Sequence, residues 1–152
     1  MLSLRLVRLL DSHAEQLADT LFTTLLESPE CADLRKVPRD HLELRSREIY
    51  RNLSDWLTSG TEWEIAERYI ALGQERAAQG VALSHFIWAI GATKKTLFDF
   101  LDREGLADNP IELHASMELL KLLDRFYDTA VYYASVGYER QFMRSRSFID
   151  AA

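Results

Sequence analysis

Apolar residues near the start of the chain recur at spacings of three and four, the pattern of a helix with one face toward a core. They are Val7, Leu10, Ala14, Leu17, Leu21 and Leu25. This predicts a single first helix that ends at the sequence "ESPE", because a residue before proline avoids the helical conformation. A second helix is predicted from near Pro38, a good first-turn residue, to Gly60. Its inward residues are Leu42, Ile49, Leu53 and Trp56.

Three further helices follow from the same reasoning. Thr61 and Glu64 have the spacing of a capping box, which predicts a third helix that ends at Gly80. Its predicted inward residues are Trp63, Ala66, Tyr69, Ile70, Gly73 and Ala77. A fourth helix is predicted from about Leu83 to Glu104, with Gly105 as its left-handed terminator. The last is predicted from Pro110 to about Arg146, roughly 50 Å at 1.5 Å per residue.

No segment alternates with a period of two, so the pattern predicts an all-α fold of about five to six helices. A length of 152 residues indicates a single domain over residues 1–152. The net charge of −6 argues against a nucleic-acid partner, which needs a basic surface. A lone Cys31 allows no internal disulfide, and no apolar run has the length of a membrane span. We therefore expect a cytoplasmic protein that does not enter a membrane.

The sequence lacks the patterns that carry common enzyme chemistry. There is no glycine-rich phosphate loop, nucleophile elbow or paired-cysteine metal motif. The histidines are His13, His41, His85 and His114. None has a glutamate three residues before it, which a di-iron bundle site needs to place both ligands on one helix face. We expect no catalytic residue and no metal site.

The most distinctive segment is "AERYIALGQERAAQGVALSHFIWAIGATKKTLFDFL", residues 66–101. Its Tyr69, Gly73 and Arg76, the following "QGVALSHFIWAI" and the long last helix make the chain resemble the N-terminal domain of RsbR-type RsbT co-antagonists. Members often carry proline at the position of Ala82. The resemblance implies a globin-like sensory domain without catalysis, which regulates the stress response. It also implies a homodimer that passes its state to an attached output module or a downstream signalling protein.

Four residues form the helix–turn motif of that segment: Gly73, Arg76, Gln79 and Gly80. Glycine inside a helix costs about 1 kcal/mol relative to alanine, so Gly73 and Gly91 indicate close helix approach. Replacing Gly73 by alanine is then expected to be much milder than replacing it by leucine. Gln79 and Gly80 indicate a helix stop or, alternatively, a turn that contacts a ligand. Arg76 is expected on a solvated face, or bound to the carbonyls opposite it.

His85 is the candidate for a cofactor ligand. A haem-binding globin sensor would use a histidine among large apolar residues, and Phe86 and Trp88 are its neighbours. However, His85 lies in the first turn of its predicted helix, where a side chain usually contacts water or caps. We expect an exposed or capping histidine and no tightly bound cofactor, with haem as the alternative. A plain helical adaptor is the third possibility.

The chain is rich in aromatic residues, which indicate either a filled core and interface or a pocket for a small apolar ligand. Both terminal helices also carry apolar residues around more than one face, and such surface is usually covered by a partner. This predicts a homodimer through the terminal helices. The predicted interface residues are Leu6, Leu9, Phe22, Leu119, Leu123, Phe126, Tyr127 and Tyr133.

Overall fold

The computed structural model describes residues 4–104 and 110–151. These residues form six α-helices and one 3₁₀ segment, Pro29–Lys36, without a strand. The α-helices are α1 Leu4–Ser12, α2 Ala14–Glu27, α3 Arg39–Ser59, α4 Glu62–Ala78, α5 Leu83–Glu104 and α6 Pro110–Ala151. The predicted all-α fold with a long last helix is therefore confirmed. Gly105, the predicted terminator of α5, lies outside the described residues.

The predicted first helix is two helices, separated at His13. This residue leaves the helical conformation (φ −112°, ψ 14°), and its Nδ1 donates to the Leu9 carbonyl oxygen at 2.9 Å. Its ring packs against Phe100 of α5, with 5.3 Å between the ring centroids. All six apolar residues of the predicted stripe are buried. The break therefore changes the direction of the chain without removing the stripe from the core.

Helix α3 begins after Pro38 and ends before Gly60, as predicted. The hydroxyl of Thr61 then accepts a hydrogen bond from the Glu64 backbone nitrogen at 3.4 Å, which confirms the threonine cap of α4. The predicted inward position of Trp63 is wrong, because 70% of it is exposed. The inward face of α4 starts at Ile65 instead and follows a neighbouring stripe of the same period.

Helices α4 and α6 approach each other until their backbones touch. A Cβ atom on Gly73 would overlap the Ala134 carbonyl oxygen and would lie 2.8 Å from the Tyr138 nitrogen. On the opposite helix, a Cβ atom on Gly137 would overlap the Ile70 carbonyl oxygen. The close approach predicted for Gly73 is thus confirmed. The same prediction for Gly91 is wrong, because its Cβ position is open to solvent.

Candidate functional site

An open cleft of about 600 Å³ lies between α3 and α4. Only Gly60 and Thr61 join these two helices, and the helices diverge from that link. The floor of the cleft is formed by Ile49, Leu53, Trp56, Ile65, Tyr69, Leu72 and Phe126. Its rim is formed by Arg45, Glu48, Asn52, Asp55, Glu64, Glu67 and Arg68. An apolar floor below a polar rim is typical of a small-molecule site.

A cavity of about 40 Å³ lies at the inner end of this cleft. Four residues line both spaces: Arg45, Ile49, Tyr69 and Leu72. The cavity is otherwise lined largely by apolar side chains of α2, α3 and α5, including Leu21, Leu42, Phe86 and Ile90. The cleft and the cavity therefore adjoin at a shared layer of side chains.

Tyrosine hydroxyl groups lie in the core beside the cavity. Tyr50 donates to the Thr93 carbonyl oxygen at 3.0 Å. Tyr127 is only 2% exposed, and its hydroxyl finds no hydrogen-bond partner within the described part of the chain. Burial raises the pKa of Tyr69 to about 12 and holds the pKa of Tyr127 well above its usual range. Both hydroxyls therefore stay protonated and neutral at physiological pH.

The predicted helix–turn motif contributes a buried cation to the cavity. Arg76 is only 4% exposed, which corrects its predicted place on a solvated face. Its Nη1 donates to Gln79 Oε1 at 2.8 Å and lies 3.6 Å from Glu75 Oε1. The other Glu75 oxygen lies 3.3 Å from Arg45 Nη2. Burial lowers the pKa of Arg76, and the charge of Glu75 opposes that effect.

Gly80, the last residue of the motif, has the left-handed conformation with φ 76°, which confirms the predicted helix stop. Its carbonyl oxygen accepts a hydrogen bond from Lys36 Nζ at 2.9 Å. The Val81 nitrogen donates to the Arg76 carbonyl oxygen across the turn at 3.1 Å. Gly80 does not line the cleft or the cavity, so of the motif only Arg76 contacts the site.

His85 lies away from this site, in a reciprocal pair of hydrogen bonds with the 3₁₀ segment. Its Nδ1 accepts from the Asp33 backbone nitrogen at 3.0 Å, and Asp33 Oδ2 accepts from the Ala82 nitrogen at 2.9 Å. The bond from Ala82 is the main reason that the pKa of Asp33 is lowered. His85 is therefore partly exposed and bonds the backbone of a distant segment; it does not cap its own helix.

Most of the predicted dimer interface is already covered by the chain itself. Five of the eight residues are buried in the core of one chain: Leu6, Leu119, Leu123, Phe126 and Tyr127. This corrects the predicted interface, because a side chain covered by its own helices does not form an outer surface. Leu9, Phe22 and Tyr133 remain partly exposed. Tyr133 also donates to Glu62 Oε1 at 3.3 Å.

Sequence reasoning missed Arg45 as a site residue. It lies in "HLELRSREIYR", where alternating charges indicate a solvated helix face. The available indication was Ser46, which continues the stripe from Leu42 to Ile49 and is buried. Its neighbour Arg45 therefore borders the core, but a serine among charged residues is a weak signal.

Comparison with known proteins identifies one family. The model of the RsbT co-antagonist protein rsbRD N-terminal domain matches residues 4–145. No curated protein and no solved structure matches the chain. Within the described residues, no helix has the length and apolarity to cross a membrane, and no group of three or more potential ligands is placed to hold a metal ion. The chain belongs to the family of RsbT co-antagonist N-terminal domains, which are regulatory domains of stress signalling.

Proposed function

We propose that this domain forms a homodimer and passes a conformational signal along α6 to an attached output module or a downstream signalling protein. The observation that carries the proposal is the backbone contact between α4 and α6 at Gly73 and Gly137. Helix α4 borders the cleft and the cavity. Helix α6 continues for 14 residues beyond Gly137, which is about 20 Å. One end of this path lies at the site and the other at the last described turn of α6.

Direct backbone contact suits such a path. Side chains at an ordinary helix interface absorb small shifts by changing rotamer, whereas two touching backbones leave little freedom between them. A displacement of α4 toward the cleft is therefore expected to move α6 as well. Small helix shifts of this kind are a common element of signalling transitions.

An apolar flank of α6 supports the dimer. Leu113, Met117 and Phe142 lie on one side of the helix and are 37%, 47% and 57% exposed. Leu120 and Val131 continue the same side and are partly exposed, with Asp124, which pairs with Lys94, between them. Exposed apolar residues in a row usually mark an interface, and a two-fold pairing of identical surfaces is the commonest way to cover them.

Light scattering over a concentration series tests the dimer. A mass of about 35 kDa, twice 17.6 kDa, is expected for the wild type. Met117→Glu and Phe142→Glu place charges on the flank and are expected to shift the mass toward the monomer. Ile111→Glu is the matched control, because Ile111 is exposed but lies about 120° around the helix from Met117. A wild-type mass that stays at 17.6 kDa at micromolar concentrations would remove the dimer from the proposal.

The haem alternative lacks support in the geometry. No histidine lines the cleft or the cavity among the residues described, and His85 Nδ1 is held by the Asp33 backbone. The proposed signal therefore enters through packing and hydrogen bonds around α4.

A further inference from the structure

Tyr127 offers an unused hydrogen-bonding group in the core. Its side chain lines the cavity, and its hydroxyl has no partner within the described part of the chain. Tyr69 lines the same cavity. A buried polar group without a hydrogen bond destabilises a fold. A partner from outside the chain would remove this cost, and the cavity has room for a few atoms.

The inner end of the cleft is also positively charged. Arg45 and Arg76 line the cavity, and no acidic side chain lines it among the residues described. Both arginines share the single carboxylate of Glu75, so the three groups carry a formal charge of +1. Guanidinium groups pair well with carboxylates through two parallel hydrogen bonds. A second carboxylate at this position would balance the charge.

The floor of the cleft between this charge and the Gly60–Thr61 link is aromatic. The rings of Trp56 and Phe126 lie 4.8 Å apart in a tilted arrangement, and Tyr69 meets Phe126 edge to face at 6.0 Å. Aromatic rings favour a further ring in such offset or edge-to-face geometry. The volume of about 600 Å³ is within the range of small-molecule sites.

We propose that the cleft between α3 and α4 binds an aromatic monocarboxylate. Its ring lies on the floor formed by Phe126 and Tyr69, and its carboxylate passes Arg45 into the cavity, toward Arg76 and the Tyr127 hydroxyl. A small molecule fits better than a partner helix, because a carboxylate is narrow enough to enter the cavity below the floor and a helix is not. The signalling role of this ligand rests on the proposed function. Its binding is tested independently of that function.

Trp56 provides a fluorescence probe inside the cleft. The exposed Trp63 and Trp88 are replaced by phenylalanine, so that Trp56 is the remaining tryptophan. The protein is then titrated with 3-phenylpropionate, with the neutral 3-phenylpropanol and with the aliphatic octanoate. Saturable one-to-one binding of 3-phenylpropionate is expected, and calorimetry confirms the stoichiometry. The alcohol lacks the charge and octanoate lacks the ring, so each is expected to bind about tenfold more weakly.

Substitutions locate the carboxylate. Arg45→Met and Tyr127→Phe are each expected to weaken binding of 3-phenylpropionate by about tenfold. Arg51→Met is the matched control, because Arg51 lies on the same helix, pairs with Glu15 on the surface and does not line the cleft. A cooperative thermal transition for each variant shows that it is folded.

Three results would overturn the proposal. The first is no saturable binding of 3-phenylpropionate up to about 10 mM. The second is equal or tighter binding of either comparison compound, which would remove the carboxylate or the ring from the assignment. The third is equal binding by the Arg45→Met and Arg51→Met variants. Repeating the titration with Met117→Glu separates the two proposals, because loss of the dimer alone leaves this binding unchanged.

Discussion

The two sides of α4 differ sharply in packing. On one side Gly73 fits against the backbone of α6, and the two helices touch without side chains between them. On the other side α4 diverges from α3 and borders a cleft of about 600 Å³. On its closed side α4 contacts α6, which is distant in sequence. On its open side it faces α3, the helix that precedes it in the chain. Helix α4 is therefore held as one unit with α6, while its position relative to α3 is less constrained.

Described contacts across the cleft are few. Arg45 of α3 and Glu75 of α4 form an ion pair near the end of the cleft opposite the Gly60–Thr61 link. Close packing on one side and a surface ion pair on the other predict very different responses to substitution. The effects are expected to decrease from the glycine contact to the cavity and then to the ion pair.

The glycine contact is expected to give the largest effect. Because a Cβ on Gly73 overlaps backbone atoms of α6, Gly73→Ala is expected to lower the free energy of unfolding by about 3 kcal/mol, and Gly73→Leu by more. The sequence alone predicted that alanine would be mild. Gly137→Ala is expected to behave like Gly73→Ala. Urea denaturation measures these changes.

Gly91→Ala is the control for this prediction. Gly91 lies inside α5 with open space at its Cβ position, so alanine is expected to raise the free energy of unfolding by about 0.5–1 kcal/mol through helix propensity. Equal small effects at Gly73 and Gly91 would show that the backbones of α4 and α6 are not in contact.

Periodicity predicted what depends on local sequence. The bounds of α5 agree with the prediction, and the first stripe is buried as predicted, because burial of an amphipathic helix follows its 3.6-residue period. The break at His13 was missed because the stripe keeps its order across it. Trp63 was placed inward because two neighbouring stripes of α4 fit the same period, and only packing against α6 selects one of them.

The candidate site could not be predicted in the same way. Its cleft exists because α4 packs on α6 and not on α3, and this choice is a tertiary one. Arg76 was expected at the surface because arginine is rarely buried without a partner, and its partners Gln79 and Glu75 are found only through side-chain geometry. Tyr127 was predicted at an interface because apolar residues surround more than one face of the last helix, although its unpaired hydroxyl is the feature that marks the cavity.

The cavity is expected to give an intermediate effect of opposite sign. Tyr127→Phe removes a buried hydroxyl that has no partner in the described chain, so it is expected to raise the free energy of unfolding by about 1 kcal/mol without ligand. Urea denaturation at pH 7 measures it. A loss of stability would show that the hydroxyl is hydrogen-bonded, for instance to an enclosed water.

The difference between Tyr127→Phe and the wild type is expected to widen above pH 10. The folded pKa of Tyr127 is raised, so the unfolded tyrosine ionises first, and the wild type loses stability as the pH rises from about 10 toward the folded pKa. Phenylalanine has no such loss. A constant difference between pH 8 and pH 11 would contradict this sign.

The ion pair across the cleft is expected to give the smallest effect on stability. The side chains of Arg45 and Glu75 are 30% and 41% exposed, so Arg45→Met is expected to lower the free energy of unfolding by at most about 0.5 kcal/mol. Its effect on local motion is expected to be more selective. Without the pair, α3 loses a contact with α4, while α4 keeps its backbone contact with α6 at Gly73. Hydrogen exchange is therefore expected to become faster in the first half of α3 and to stay unchanged in α4.

Arg51→Met, which breaks a surface pair with Glu15, is the control on the same helix. Equal acceleration in α3 and α4 would show that the two sides of α4 are held with similar strength, against the difference in packing described above.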